Sequence, residues 1–558
     1  MAKTTCFGID LGTTYSCISY INDMGQAEII EHQGKPIIPS IVYFGRDGIV
    51  VGDAAKRKGA FGGDEAQKIA DFAKRNMPFP QKGEERFEAN GDVFTKIWDI
   101  DGVVYSPIDV SAEVLKHLKS NAETAVQATI EKVVVTCPAS FDDYARRRTK
   151  AAAVKGLGLR EEDIVIVDEP VAAALNYALE TGEDIKGKTF LVYDLGGGTF
   201  DITVLTVKEN DAGQTEYRVI RTEGNHYLGG GDWDDKIVEF FKGEFFTQTG
   251  IHIALEQAEH VDDFYEANFN LKAVAEERKR ELSDSDSVTQ TLKFSNRRAK
   301  IELTRQKFDE LTSGLLNDTF LLTDTVIKYA KQHGVQHFDA FLLVGGSTYM
   351  RQVKEGLVKR YANEDALSGI KPVFHEPNKA VAKGAAKQAQ IESVQKELKE
   401  IAPNSTDAPL TQEQIRTLAE RTGETEEKVR ELANTKVVNK CVESLGILVL
   451  DDNDNPYIAN LIRKGADRPV IAKNRFKARG CRPEIEIYGN QSMEDELAVS
   501  EGEVRPSQGY GYPELSEGQD IPVEIELVMD HEGKFDLYIT DMRNDRRQHV
   551  TLEDEKKN

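Results

Sequence analysis

The tripeptide Asp-Leu-Gly occurs twice, at residues 10–12 and 194–196, and threonine follows closely each time. Each copy comes directly after a short apolar run that predicts a strand. A glycine-rich turn lets backbone N–H groups approach a phosphate without obstruction by Cβ atoms, and a carboxylate at the strand end can hold Mg²⁺. Such turns also occur in hairpins that bind nothing. Two copies in matched strand contexts, however, predict a duplicated domain whose halves hold one nucleotide between them.

Length, charge and cysteine content exclude several other classes of protein. A chain of 558 residues is expected to form two or more domains. The net charge of −24 disfavours nucleic acid and anionic membranes as partners. No apolar run approaches the roughly 18 residues of a membrane span, and no apolar signal-peptide core follows the first residue, so we expect a cytoplasmic protein. Five widely spaced cysteines favour neither a disulfide framework nor a thiolate zinc site.

The pattern of elements divides the chain into four parts. Residues 1–388 alternate strand and helix patterns, which is typical of α/β layers. Residues 389–440 lack strand signal and are expected to form a helical insertion and interdomain linker. Residues 441–553 show apolar residues at every second position, which predicts strands with one buried face in a compact sandwich. Residues 554–558 form a charged tail.

The helical insertion carries its own start and stop signals. Thr411 with Gln414 predicts a capping box, Gly423 ends the first helix and Thr425 caps the second. A helix-turn-helix DNA reader is one interpretation of such a hairpin. Six Glu against four Lys or Arg between residues 411 and 434 favour a docking or spacer element instead.

Acidic residues at strand ends are the candidates for chemistry. Glu169 ends an apolar strand, and Pro170 opens the next helix. There it is either a metal-shell or water-activating acid, or a first-turn acid that the helix dipole favours. Phosphoryl transfer to water also needs a cation near the γ-phosphate. Lys74 could supply it, although nothing local distinguishes Lys74 from a solvated surface lysine.

Two further glycine turns, at residues 229–231 and 345–346, could bring backbone close to a flat adenosine. Neither they nor the Asp-Leu-Gly turns match Gly-x-x-x-x-Gly-Lys-Ser/Thr, so the sequence contains no Walker-type P-loop.

Together these motifs resemble the actin-like ATPase superfamily and, within it, the seventy-kilodalton heat-shock chaperone family. The matching segments are residues 8–16, 169–174, 194–201 and 345–348, in family order and spacing. The resemblance implies a two-lobed α/β actin-like ATPase domain with ribonuclease-H-like halves, followed by an all-β sandwich that binds peptide. It implies an ATP-dependent chaperone that slowly hydrolyses ATP to control its affinity for unfolded or apolar peptide segments. The implied cofactors are ATP or ADP and Mg²⁺, with K⁺ as a further candidate.

The resemblance assigns roles to individual residues. The implied catalytic residues are Lys74, Glu169, Thr199 and Asp201. The implied residues around Mg²⁺ are Asp10, Glu169, Asp194 and Asp201. The implied nucleotide contacts are Gly12, Thr13, Thr14, Tyr15, Gly196, Gly197, Gly198, Gly229, Gly230, Glu276, Lys279, Arg280, Ser283, Gly345, Gly346, Ser347 and Tyr349. Pro138 and Arg146 match a pair implicated in interdomain signalling. Ile447, Phe476 and Ile485 align with the apolar peptide groove, or are ordinary sandwich core.

The sequence also departs from the family pattern. Tyr349 stands where the family has an adenine-stacking arginine, and an aromatic ring can still stack. The resemblance implies a J-domain co-chaperone and a nucleotide exchange factor, but Val165 replaces the arginine with which bacterial members contact the J-domain. The leucine-rich linker is reduced to residues 436–439, and the helical lid has no counterpart. These departures indicate a divergent member.

Two other functions remain open. The chain could be a nucleotide-switched scaffold or regulator whose β-domain holds one dedicated protein partner, which the altered linker favours. A sugar or carboxylate kinase on the same fold is less favoured, because the β-domain would have no role there.

Overall fold

The computed structural model describes residues 6–80, 83–182, 185–211, 213–374, 376–402, 410–451, 453–499 and 507–551. The charged tail expected at 554–558 lies outside these ranges. Across the ranges given, no helix combines the length and the apolar character that a membrane crossing requires.

The first lobe is an α/β layer whose central sheet runs in the order β13–β12–β1–β2–β3. Its strands are β1 (Phe7–Asp10), β2 (Tyr15–Ile21), β3 (Ala27–Ile29), β4 (Ile38–Pro39), β5 (Val42–Gly45), β6 (Gly48–Val51), β7 (Ile69–Ala70), β8 (Phe87–Ala89), β9 (Asp92–Phe94), β10 (Trp98–Ile100), β11 (Val103–Tyr105), β12 (Val133–Cys137) and β13 (Ile164–Asp168). Its helices are α1 (Asp53–Gly59), α2 (Asp64–Gln67), α3 (Pro107–Val126), α4 (Asp143–Leu157) and α5 (Glu169–Thr181). Strand β1 pairs parallel with β12 and antiparallel with β2. Phe7 and Ile9 are fully buried, so strand β1 is fixed in the core. Its last residue, Asp10, lies at the carboxyl end of this central strand.

The second lobe repeats this plan. Its strands are β14 (Thr189–Leu195), β15 (Phe200–Glu209), β16 (Thr215–Asn225), β17 (Ser287–Phe294), β18 (Arg297–Thr304), β19 (Ala340–Val344) and β20 (Pro372–Phe374). Its helices are α6 (Gly230–Thr249), α7 (Val261–Glu281), α8 (Arg305–Gln332), α9 (Arg351–Arg360) and α10 (Ala380–Ile401). The sheet order β20–β19–β14–β15–β16 copies that of the first lobe, with β14 antiparallel to β15 and parallel to β19. The duplication predicted from the two Asp-Leu-Gly turns is therefore confirmed by strand order.

Helix α10 joins the two lobes, and it approaches its neighbours at glycines. A Cβ added at Gly8 would lie 2.0 Å from the backbone nitrogen of Ala386, and one at Gly384 would lie 1.7 Å from the carbonyl oxygen of Ala172. These contacts place α10 directly against β1 and α5. The domain boundary predicted at residue 388 falls inside this helix, because its buried face continues past Ile391 to Val394.

The predicted insertion is a helical hairpin of α11 (Gln412–Thr422) and α12 (Glu426–Ala433). The capping box of Thr411 with Gln414 is present, Gly423 ends α11 in the left-handed conformation, and Thr425 caps α12. The apolar face of the hairpin is buried against the core that α10 shares, with Leu418 and Val429 fully buried. Of the two alternatives that the sequence left open, a docking or a spacer element, the hairpin is thus the docked one.

The expected linker at residues 436–439 is a strand, β21 (Thr435–Lys440), which extends the sheet of the second lobe. It pairs parallel with β16 over residues 215–218. The sequence predicted no strand here because the segment is too short and polar to show period-two burial. The open edge of β16 supplies the hydrogen bonds that make it a strand.

The remaining residues form a sandwich of two antiparallel sheets. Its strands are β22 (Ser444–Leu450), β23 (Pro456–Ile462), β24 (Asp467–Arg468), β25 (Val470–Ala478), β26 (Ile485–Asn490), β27 (Glu496–Ala498), β28 (Ser507–Gly511), β29 (Ile521–Met529), β30 (Phe535–Asp541) and β31 (Arg546–Val550). One sheet has the order β27–β23–β22–β26–β28 and the other β25–β29–β30–β31. Strand β24 instead pairs with β21, so a continuous sheet connects the second lobe to the β-domain.

Candidate functional site

A cleft of about 1040 Å³ opens between the two lobes, and most of the predicted site residues line it. From the predicted set these are Asp10, Gly12, Thr13, Thr14, Tyr15, Lys74, Glu169, Asp194, Gly196, Gly197, Thr199, Glu276, Lys279, Arg280, Ser283, Gly345, Gly346, Ser347 and Tyr349. The cleft therefore brings together residues from both Asp-Leu-Gly turns and from the glycine turn at residues 345–346.

Three predicted glycines support the cleft from behind. A Cβ at Gly229 would lie 2.5 Å from the backbone nitrogen of Gly198, and the N–H of Gly230 donates to the carbonyl of Gly196 at 3.0 Å. The hydroxyl group of Ser347 donates to the same carbonyl at 2.8 Å. These turns stack directly on one another, so side chains there would push the phosphate-facing loops apart.

The two Asp-Leu-Gly turns meet across the cleft. A Cβ at Gly197 would lie 1.9 Å from the hydroxyl oxygen of Thr14, and one at Gly198 would lie 2.4 Å from the methyl group of Thr13. Backbone amides from both lobes are thus presented to one space, which is the arrangement a polyphosphate needs.

Buried carboxylates surround the floor of the cleft. Burial, and then the charge of Glu169, raises the pKa of Asp10 to about 7. Burial and the neighbouring carboxylates also raise the pKa of Asp194 well above its usual value. Burial raises the pKa of Asp201 to about 7, although Ser140 donates hydrogen bonds to it. A cation placed here would stabilise all three anions, so the donor set fits Mg²⁺.

The spacing of the buried acids limits how Mg²⁺ could bind. In the described part of the chain, no three His, Cys, Asp or Glu side chains lie close enough to one another to hold one metal ion. Mg²⁺ usually keeps several waters and takes only one or two carboxylates, so this spacing is compatible with the predicted ion. Asp201 does not line the cleft, since its side chain is buried behind it.

Lys74 is the cation that the sequence could not distinguish from a surface lysine. It lies in a short 3₁₀ turn over residues 73–76, its side chain is only 4% exposed, and its Nζ donates to the Glu169 carboxylate. Burial alone would lower the pKa of Lys74, but Glu169 and Asp10 raise it above its usual value. The lysine is therefore a fixed positive charge inside an acidic cleft.

Part of the cleft is lined by aromatic and cationic side chains. The ring of Tyr349 is stacked on that of Phe374, with centroids 5.6 Å apart and planes 15° apart. Lys279 forms an ion pair with Asp234 at 2.8 Å, and the guanidinium of Arg280 lies 4.9 Å from the centre of the Tyr15 ring. Flat aromatic and guanidinium surfaces of this kind suit a purine base.

Several cleft residues were not predicted. Lys56 donates to Tyr15 and Glu276 and so links the lobes. Arg75 pairs with Asp232, and its guanidinium lies 5.2 Å from the centre of the Tyr227 ring. Their sequence surroundings are ordinary charged helix residues, and no local signal could have identified them.

The predicted peptide-groove residues lie mainly in the sandwich core. Ile447 and Ile485 are 2% and 5% exposed, and Phe476 packs against the same core from a half-buried position. A groove that used the two isoleucines would have to open from this conformation. Arg146 lies at the boundary with the β-domain, where its guanidinium reaches the carbonyl of Glu532 at 3.5 Å. Pro138 lies in the preceding loop, where its carbonyl accepts from the N–H of Phe141 at 3.1 Å.

The fold and cleft define a two-lobed actin-like protein with an attached β-sandwich. A family model described as "Hsp70 protein" matches residues 6–440, and the chain belongs to this family. The chain is 35% identical over 404 residues to the ribosome-associated molecular chaperone SSB of Candida glabrata and, equally, to a ribosome-associated molecular chaperone of Saccharomyces cerevisiae. Each match covers 69% of this chain and 61% of the relative, so the chain spans about three fifths of the length of these curated relatives.

Proposed function

We propose that this protein is an ATP-dependent chaperone of the Hsp70 type. It binds ATP with Mg²⁺ in the interlobe cleft, hydrolyses it slowly, and uses the nucleotide state to set the affinity of the β-domain for unfolded or apolar peptide segments. The observation that carries the proposal is the convergence of both glycine turns, the buried acids and Lys74 on one cleft.

Each group has a defined part in this proposal. Backbone amides of the two turns bind the phosphates, and Lys74 stabilises the negative charge that develops on the transferred phosphoryl group. Mg²⁺, when bound near Asp10 and Asp194, would neutralise phosphate charge. Glu169 and the hydroxyl group of Thr199 orient the attacking water, and buried Asp201 supports them from behind.

Partners follow from the same proposal. Unfolded or apolar peptide segments are the proposed clients, and the cytoplasm is the proposed location. A J-domain co-chaperone and a nucleotide exchange factor stay predictions from the family resemblance, and Val165, in place of an arginine, disfavours the J-domain contact. The net charge of −24 disfavours RNA as a partner.

One observation favours a second function, a nucleotide-switched scaffold that holds one dedicated partner. Arg468 of the β-domain forms a buried ion pair with Asp168 of the first lobe, and two of the three predicted groove residues are closed in the sandwich core. A β-domain fixed in this way could present one surface to one partner rather than open for many peptides.

The test is ATP-triggered release of a fluorescent apolar peptide, measured alongside hydrolysis. We expect rapid release by ATP in the wild type and loss of hydrolysis, by about a hundredfold or more, in Lys74→Ala. Lys116→Ala, an exposed lysine of α3, is the matched control and should behave as wild type. Hydrolysis without any peptide binding would favour the scaffold, and absence of both would refute the chaperone proposal.

A further inference from the structure

Arg468 is a β-domain residue whose side chain is buried beside the ATPase lobes. It ends strand β24, next to the strand that extends the second lobe. Its Nη2 atom donates to a carboxylate oxygen of Asp168, in the first lobe, at 2.9 Å, and both side chains are 3% exposed. The guanidinium of a β-domain residue is thus buried against the first lobe of the ATPase domain.

Two arginines share this one carboxylate. Arg146 reaches the other oxygen of Asp168 at 2.6 Å, and its side chain is 5% exposed. Burial, and then the charge of Arg146, lowers the pKa of Arg468. A buried ion pair is weak evidence for stability, and a second buried cation on the same carboxylate adds repulsion and desolvation. The arrangement therefore points to a role beyond contact between the domains.

The cluster of Arg468, Asp168 and Arg146 is connected to the proposed catalytic acids in two ways. Asp168 is the last residue of β13, and Glu169, which receives Lys74, is the first residue of α5. Arg146 donates to the carbonyls of Phe141 at 3.0 Å and Ala139 at 3.4 Å.

Between those two carbonyls lies Ser140, whose N–H donates to Asp201 at 3.1 Å. Asp168 thus directly precedes Glu169 in the chain, and through Arg146 its carboxylate is linked to the loop whose Ser140 N–H donates to the side chain of Asp201. Arg468 is the second cation on the Asp168 carboxylate, so a displacement of Arg468 would change the electrostatic environment of Asp168 and Arg146.

We propose that Arg468 is a positioning residue for ATP hydrolysis, supplied by the β-domain. By pairing with Asp168 it fixes the strand end that carries Glu169 and the loop that holds Asp201. The inference rests on the proposed ATPase function and adds a residue, from outside the ATPase lobes, on which the rate of the chemical step depends.

The experiment measures kcat and KM for ATP in full-length protein carrying Arg468→Met. We expect kcat to fall about tenfold while KM stays within about twofold of wild type, because positioning acts on the transition state rather than on uniform binding. Arg468→Lys should recover most of kcat, since one N–H donor and the charge suffice for Asp168. The control is Lys534→Met, which removes an exposed ion pair between the same two domains, 3.1 Å from Glu161, and should leave both constants unchanged.

The outcomes separate the two proposals. No turnover in the wild type overturns both the ATPase function and this inference. Wild-type turnover with an unchanged or increased kcat in Arg468→Met overturns the inference alone, as does an equal loss in Lys534→Met. If the methionine variant does not fold, Arg468→Gln keeps a donor without the charge, and an unchanged kcat in that variant overturns the inference.

Discussion

The hydroxyl group of Tyr15, in the first lobe, donates a 2.6 Å hydrogen bond to Glu276, in the second. Lys56 donates to the same carboxylate at 2.8 Å and Arg280 at 2.6 Å. Burial would raise the pKa of Glu276, but Lys56 and Arg280 hold it at about 2. The four side chains join the lobes across the cleft, so we expect nucleotide release to require this network to open.

Glu276→Gln should therefore release nucleotide faster. The amide keeps the shape but loses two charge-assisted hydrogen bonds, each worth roughly 1.5–3 kcal/mol, so we expect the dissociation rate of a fluorescent ADP analogue to rise about tenfold in stopped-flow measurements. Glu277→Gln, the next residue, with an exposed side chain, is the control. An unchanged rate in Glu276→Gln would show that the network does not limit release.

Tyr349 should contribute to nucleotide affinity through its ring. Its side chain lines the cleft, is 48% exposed and stacks on Phe374. Since an aromatic pair is worth about 0.5–1.5 kcal/mol, Tyr349→Ala should weaken ATP binding about threefold to tenfold in calorimetric titrations. Tyr349→Phe keeps the ring and should bind as wild type. Equal losses in both variants would assign the effect to the hydroxyl group instead.

Lys387 should make stability depend on pH. It is 3% exposed on α10, and its Nζ lies 3.2 Å from Glu431 of α12, with Lys428 nearby. Burial lowers the pKa of Lys387 to about 7 against the attraction of Glu431. Between pH 7 and about 10.5 the unfolded chain binds a proton that the folded chain does not, so this residue makes stability rise with pH.

Lys387→Met should remove that dependence. We expect the variant to have a higher Tm than wild type at pH 7 and a smaller difference at pH 9, with an upper bound of about 1.4 kcal/mol per pH unit. Lys396→Met, on the same helix but half exposed, is the control and should follow the wild-type slope. A variant that keeps the wild-type slope would show that Lys387 is charged in the folded protein.

The helical hairpin should hold strand β21 on the second lobe. Only Asn434 separates α12 from β21, and its carbonyl accepts from Thr215 of β16 at 2.8 Å. Leu418, on α11 of the hairpin, is fully buried in the core shared with α10. Leu418→Ala should therefore lower the free energy of local unfolding by about 2–5 kcal/mol. We expect amide hydrogen exchange in β21 to accelerate at least tenfold.

Arg416→Ala changes an exposed residue of the same helix and serves as the control for that measurement. If protection of β21 survives in Leu418→Ala, the strand is held by its pairing with β16 alone.

Local sequence determined the elements of this protein and the family to which it belongs. The two Asp-Leu-Gly turns, the capping box at Thr411 and the period-two runs of the β-domain all depend on residues within a few positions of one another. Propensity, capping and burial period act at that range, which is why fold class and most of the cleft could be predicted.

Only the tertiary structure decided which distant residues meet. Lys74 became a buried partner of Glu169, Tyr15 met Glu276 across the cleft, and Arg468 reached Asp168 across 300 residues of chain. The same packing placed Ile447 inside the sandwich. Pairing and burial of these side chains depend on how the lobes and domains pack against one another. That packing brings together residues far apart in the chain, so it cannot be predicted from a pattern of neighbouring residues.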